Sequence, residues 1–202
     1  MKIYETKLAP NPRRVRVFLA EKGIEVPFVE VDMMKGEHKT PDYKKVNPLS
    51  QVPTLELDDG TCISETLAIC RYFEETNPEP PLFGRTAVEK AHVEMWQRRI
   101  EFGLMMPTAF FFRHTNKMMA QLEQQNPEWG NQNKDRAIRF MKFFDRALEG
   151  HDFVVDDYYS AADVIAMTTV DFAAFAGLAV PDECKNLKAW HARVSARPSA
   201  KA

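Results

Sequence analysis

The chain has 202 residues, enough for one large domain or two small ones, and its 45 % hydrophobic and 28 % charged residues are the balance of an ordinary soluble globule. A formal net charge of −2, with no stripe of lysine and arginine, argues against a nucleic-acid partner or an anionic membrane surface. Glu5 and Lys7 interrupt any signal-peptide apolar run, and the longest nearly apolar stretch, 172–180, is far short of the about 20 residues that a spanning helix needs.

Lys2 to Glu5 reads as a short strand. Asn11-Pro12 then opens a helix, with Asn11 as the N-cap, Val15, Phe18 and Leu19 at helical spacing, and Gly23 at the end. Pro27 to Asp32 is a second strand, parallel to the first through a right-handed crossover. A loop follows over 33–47, with one helical turn expected around Asp42 to Val46. Thr54 to Leu57 and Thr61 to Ile63 form a hairpin about an Asp-Gly turn, and a helix runs from Glu65 to Thr76. The order β-α-β, loop, β-β-α matches a thioredoxin-like α/β layer with helices on both faces.

Three prolines among Asn77-Pro78-Glu79-Pro80-Pro81 mark a linker, taken as 77–85, between a domain at 1–80 and an all-helical bundle at 86–202. In the second part, Thr86-x-x-Glu89 is a capping box, Pro107 is expected to kink or end the long helix, and Asn126-Pro127 to Gly130 reads as a break. Asn133 to Leu148 is amphipathic. Ser160-x-x-Asp163 opens a helix to Ala176, and Leu187 to Ala196 forms the last one.

Three short stretches carry candidate chemistry. Gln51-Val52-Pro53 places a proline at the entry of a strand, where a cis bond would turn the Val52 backbone outward to pair with an extended peptide. Ser64-Glu65-Thr66 lies at a helix N-terminus, which attracts a carboxylate, beside an acid suited to an ammonium; the plainer reading is that Ser64 or Thr66 caps the helix. Pro10-Asn11-Pro12 sits where a thioredoxin-like domain holds its reactive sulfur, yet this turn has no cysteine, so the sulfur would come from a ligand. Asn11 either donates its amide to that sulfur or caps the helix. Cys62, Cys70 and Cys184 are odd in number and form no Cys-x-x-Cys, which indicates free thiols in a reducing cytoplasm; no His/Cys cluster has zinc spacing, and no metal is expected.

Taken together, 19–24 (Leu-Ala-Glu-Lys-Gly-Ile), Gly36-Glu37-His38, Asn47-Pro48, Gln51-Val52-Pro53, Asp59-Gly60 and Glu65-Thr66-x-Ala68-Ile69 resemble the cytosolic glutathione transferases, bacterial theta-, beta- and nu-like members included. Ser160-Ala161-Ala162-Asp163 and Arg197-Pro198-Ser199 are similar to the second half of that family. The resemblance implies a cytoplasmic homodimer of detoxifying function with glutathione as co-substrate. It implies that Val52, before a cis Pro53, pairs with the cysteinyl unit, that Glu65 and Thr66 hold the γ-glutamyl end, and that Gln51, His38 and Lys39 face the glycyl carboxylate. The chain departs from the pattern at the sulfur: Ala9 occupies the usual serine position. Asn11 is the first candidate to replace that serine, followed by Thr6 and Tyr4. Met95, Phe102, Met106 and Phe110 are the candidate apolar electrophile site, expected between the domains, although apolar residues at helical spacing more often form core. The implied activity is conjugation of the glutathione thiol to apolar electrophiles. Glutathione-dependent reduction of peroxides or disulfides, or a non-catalytic interaction role, are the alternatives.

Overall fold

A computed structural model describes residues 1–155 and 157–202. It divides into two compact units, Met1–Leu82 with Pro198–Ala202, and Phe83–Arg197.

The first unit holds a four-stranded sheet in the order β2-β1-β3-β4, formed by β1 (Lys2–Glu5), β2 (Phe28–Glu30), β3 (Thr54–Glu56) and β4 (Cys62–Ser64). β2 is parallel to β1, while β3 is antiparallel to both β1 and β4. The crossover from β1 to β2 is α1 (Pro10–Lys22), closed by Gly23 in the left-handed conformation at φ 66°. α2 (Pro41–Val46) is short, and α3 (Thr66–Thr76) follows the hairpin.

Alternation along β1 sorts the two faces. Ile3 pairs with Leu55 across the sheet, both fully buried, and α1 and α3 supply Val15, Phe18, Ile69 and Phe73 to the unit's core. Each such side chain contributes roughly 1.5–3 kcal/mol by leaving water. Tyr4 joins a smaller cluster of Val31, Met33, Tyr43 and Val52, with the Tyr4 and Tyr43 rings edge to face at 5.8 Å. The far ends of α1 and α3 are tied to the linker. Lys22 Nζ lies 2.5 Å from the Glu74 carboxylate and donates to the Asn77 carbonyl at 2.7 Å, with no exposure of the Lys22 side chain. Breaking such a buried pair by removing one member strands the other charge.

The helix α1 starts two residues earlier than the sequence suggests. Its N-cap is Ala9, and Asn11 is the second helical residue, making no capping bond. Pro10 is the cause: its fixed φ suits the first helical position, and its missing N–H is one the helix leaves unbonded anyway.

The second unit contains α4 (Ala87–Ile100), α5 (Met106–Thr115), α6 (Pro127–Ala147), α7 (Ala161–Phe175) and α8 (Lys185–Ser195). Thr86 and Glu89 make the expected reciprocal capping box. The interruption expected at Pro107 falls in the turn before it, where Pro107 has no N–H for the carbonyl four residues back. The irregularity precedes it, as a wide π-type turn over Glu101–Met105 joining α4 to α5, and Pro107 falls in the first turn of α5. α6 begins at Pro127 rather than Asn133, because Asn126 accepts from the Trp129 N–H at 3.1 Å and Pro127 takes the first helical position. Gly130 is helical; a Cβ there would come within 2.6 Å of the Thr115 side chain. The core of this unit centres on Met141, Phe144, Ile165, Met167 and the buried Trp190, whose ring meets Phe144 edge to face at 5.4 Å.

Candidate active site

Strand register brings the three chemical stretches of the first unit to one edge of the sheet. Thr54 is paired with Tyr4 on one side and Ser64 on the other. Because β3 runs opposite to both neighbours, the same edge is reached two residues after Tyr4 and Ser64, at Thr6 and Thr66, and two residues before Thr54, at Val52. α1 leaves that edge after β1, and the chain leaving β2 enters the short 3₁₀ turn Glu37–Lys39.

The peptide bond Val52–Pro53 is cis. Among the described residues nothing bonds the Val52 N–H or C=O, so both are available to an extended peptide. The preceding carbonyl is held firmly: Gln51 C=O accepts from Tyr43 Oη at 2.7 Å and from Asn47 Nδ2 at 2.9 Å. Asn47, 2 % exposed, donates also to Thr54 Oγ1 at 3.1 Å, and its own oxygen accepts from the Leu49 N–H. Burial pushes the Tyr43 hydroxyl above its ordinary pKa, so it stays a donor at neutral pH. Tyr43→Phe is expected to loosen this loop, costing about 1 kcal/mol of stability in urea unfolding and weakening glutathione affinity by calorimetry.

The N-terminus of α3 has no side-chain cap. Glu65 is the N-cap residue, at φ 69° and ψ 123°, a region that costs a non-glycine residue on the order of 1–3 kcal/mol. Neither Ser64 nor Thr66 bonds the first-turn amides, so the N–H groups of Thr66, Leu67 and Ala68 keep no acceptor among the described residues. The Glu65 carboxylate is exposed and has no partner among them. The arrangement offers amides to a carboxylate and a carboxylate to an ammonium on the same small ligand.

His38 is 7 % exposed, and its Nδ1 has no hydrogen-bond partner. Burial, then the neighbouring Lys39 charge, lowers its pKa from the ordinary value, so the ring is neutral at pH 7 and acts as a hydrogen-bonding group. Lys39 and Gln51 are exposed.

At the α1 turn the geometry separates the three candidate sulfur partners. Tyr4 Oη donates to Glu56 at 2.7 Å, and Thr6 Oγ1 donates to the Val31 carbonyl at 2.7 Å. Both hydroxyl protons are committed. Asn11 is half-buried, and its amide has no partner among the described residues. Pro10 and Pro12 carry no N–H and Arg13 N–H goes to the Ala9 carbonyl, which leaves the Asn11 backbone and side-chain amides as the donors of this first turn.

In the second unit, Phe102, Met106 and Phe110 line one cavity of about 400 Å³. Met95, half-buried on α4, is not among its lining residues. Asn133, Arg136, Arg139 and Phe140 of α6 complete the wall. Sequence reasoning missed these four; the spacing of Arg136, Arg139 and Phe140 on an amphipathic helix was the available signal. Tyr43 and Asn47 were missed as well, because their role lies in a contact with a loop four to eight residues away. Arg113 and His114 have structural partners, Glu123 and the Asn126 N–H.

Against known proteins, the profile described as "Glutathione S-transferase, N-terminal domain" matches residues 9–76, and that described as "Glutathione S-transferase, C-terminal domain" matches 104–198. Glutathione S-transferase 2 of Saccharomyces cerevisiae is 41 % identical over all of this chain and 88 % of its own length. The chain belongs to the glutathione S-transferase family. The transferase superposes on a crystal structure of a glutathione S-transferase domain-containing protein from Marinobacter aquaeolei with a TM-score of 0.93 and 41 % identity, covering 98 % of this chain and 99 % of that one. Gtt2 from Saccharomyces cerevisiae gives a TM-score of 0.93 at 40 % identity, over 100 % and 99 % of the two chains. By family the transferase is an enzyme whose co-substrate is glutathione, built from a thioredoxin-like unit and a helical unit. Among its described residues no helix is long and apolar enough to cross a membrane.

Proposed function

We propose that this transferase conjugates the glutathione thiol to apolar electrophiles. The observation that carries the reading is the uncapped N-terminus of α3, where three free amides adjoin the unpartnered Glu65 carboxylate. These match the α-carboxylate and α-ammonium of the γ-glutamyl end. The Val52 N–H and C=O pair with the cysteinyl unit, and Lys39, His38 and Gln51 receive the glycyl carboxylate, Lys39 by charge and neutral His38 by a hydrogen bond.

The cysteinyl sulfur then meets the first turn of α1, where Asn11 donates to it and favours thiolate over thiol. Attack forms a carbon–sulfur bond at the electrophilic carbon. The leaving group departs with its bonding pair, chloride in the case of a chloroarene, and the thiol proton passes to solvent. Phe102, Met106 and Phe110 supply the apolar surface for the electrophile. Cys62, Cys70 and Cys184, all free of disulfides, support a cytoplasmic setting, and a homodimer belongs to the same reading.

The test is calorimetric titration with glutathione, followed by assays with a chloronitrobenzene, a hydroperoxide and a mixed disulfide. Uptake of glutathione with turnover of the chloronitrobenzene is the expected result. Uptake with turnover of the peroxide or disulfide alone would make the enzyme a reductase. No uptake at millimolar concentration by folded protein would overturn the reading.

A further inference from the structure

The sheet of the first unit ends at β2, which pairs with β1 alone. Ile3 N–H donates to the Pro27 carbonyl at 2.9 Å and Val31 N–H to the Glu5 carbonyl at 2.7 Å, so the odd-numbered residues of this segment turn their backbone groups toward β1. The N–H and C=O of Phe28 and Glu30 therefore point away from the sheet, and among the described residues nothing bonds them. Such an edge is a template for another extended chain. Its apolar side chains are open to solvent as well: Phe28 is 38 % exposed and Val29 37 %.

A cavity of about 430 Å³ opens beside this edge. Its apolar wall is Leu19 and Ala20 of α1, Ile24 and Val26 of the connection to β2, and Phe28 itself. Strand register places Phe28 on the α1 face of the sheet, because it pairs with Ile3, whose side chain is fully buried in the core beneath α1. Glu30 lies on the same face: it pairs with Glu5, whose carboxylate accepts from Arg16 of α1. A chain laid along the edge would set one side chain over the cavity and the next on that face over Glu30.

Charge selects the kind of chain. Arg16 borders the cavity but is committed to Glu5 and to the Lys7 carbonyl, the latter at 2.9 Å. Glu25, in the same wall, is exposed and has no cationic partner among the described residues. The Glu30 carboxylate accepts only from the Lys7 backbone N–H, at 3.2 Å. The edge is thus an apolar socket beside two uncompensated carboxylates. A second copy of this chain fits it poorly, since a two-fold pairing centred on Val29 would set each Glu30 carboxylate against a Phe28 ring.

We propose that β2 docks an extended segment of a partner protein, antiparallel to Phe28–Glu30. A large apolar side chain opposite Phe28 enters the cavity, and a lysine or arginine two residues before it faces Glu30. Antiparallel pairing lets Phe28 and Glu30 each exchange both backbone hydrogen bonds with the residue opposite. The surface uses none of the residues proposed to hold glutathione, so the proposal stands whichever substrate the transferase takes.

The probe is the peptide Gly-Thr-Arg-Thr-Phe-Thr-Gly, labelled with fluorescein at its N-terminus, titrated with full-length protein and read by anisotropy. Amide hydrogen exchange then locates it. Saturable binding with slowed exchange of the Phe28 and Glu30 amides is expected. Glutamate in place of the peptide's arginine should weaken binding about fivefold, and N-methylation of its arginine and phenylalanine amides about tenfold or more. Ala20→Arg, at an exposed point of the cavity wall, should weaken the arginine peptide about tenfold by filling the socket and countering Glu25. Glu30→Gln should shrink the preference for arginine over glutamate. Calorimetric uptake of glutathione should be unchanged in both variants. No binding, binding indifferent to N-methylation, or full affinity in Ala20→Arg would overturn the proposal. So would protection of the same amides in peptide-free protein that grows with protein concentration, which would assign the edge to a second copy.

Discussion

Asp163→Ala is expected to destabilise the protein by about 3–5 kcal/mol in urea unfolding at pH 7, the largest loss from any single substitution considered for this chain. The Asp163 side chain is fully buried and collects four donors: Val154 N–H and Trp190 Nε1–H on one oxygen, Ser160 N–H and Ser160 Oγ on the other, all at 2.9–3.1 Å. It therefore closes the N-terminus of α7 and pins Trp190 of α8 at once. Alanine removes the acceptor and leaves three N–H groups buried without partners.

The same residue sets a pH dependence. Burial raises the Asp163 pKa from 3.8 to about 6, against the pull of Trp190, Val154 and Ser160. A folded-state pKa above the unfolded one means that the native protein binds the proton more tightly. The contribution of Asp163 to stability is thus full below about pH 4 and declines as pH rises to about 6, by roughly 3 kcal/mol. The Ser160 hydroxyl accommodates the protonated form, since it alone of the four donors can rotate to accept. The gap in unfolding free energy between wild type and Asp163→Ala should accordingly be wider at pH 4 than at pH 7. A gap that is constant or narrower in acid would refute the raised pKa.

The second large effect is on the thiol. Asn11→Ala should raise the pKa of enzyme-bound glutathione by up to about two units, reducing the thiolate present at pH 7 by at most about 25-fold. Absorbance of the thiolate and the pH profile of kcat/KM both report it. Because Asn11 is the second residue of α1 and caps nothing, the substitution removes a donor without removing a helix stop. Asn11→Asp should move the pKa at least as far in the same direction, by setting a negative charge beside the sulfur. An unmoved profile in both variants would reject Asn11 as the sulfur partner and leave the backbone amide of the turn as the remaining donor.

Much of this fold was legible because its signals are local. The Asp59-Gly60 hairpin, the two capping boxes and the strand-helix-strand opening each declare themselves within a few residues. The larger boundary errors come at prolines: the sequence puts Pro10 outside the helix and Pro127 in a break, whereas each sits in the first turn of a helix, where its missing N–H costs nothing. Of the candidate site, the motifs at 51–53 and 64–66 were visible as residues, but the free amides at α3 were not: capping by Ser64 was equally compatible with the sequence. The commitments of Tyr4 to Glu56 and of Thr6 to Val31 join positions 52 and 25 residues apart, and no spacing rule reveals them. The same holds for Tyr43 and Asn47 beneath the Gln51 carbonyl, and for the arginines facing Phe102.

The last five residues return to the first unit. Ser199 hydrogen-bonds the Glu21 carboxylate, and the Ala200 carbonyl receives the Arg13 side chain at 3.0 Å. In connectivity, the helical unit is thus an insertion within the other, entered after Leu82 and left at Arg197. A fragment cut at the proline linker would carry every residue proposed to touch glutathione, yet its first helix would have lost the clasp beside the turn proposed to meet the sulfur. An excised glutathione-binding module would therefore have to retain 198–202, spliced back through a short bridge across the excision.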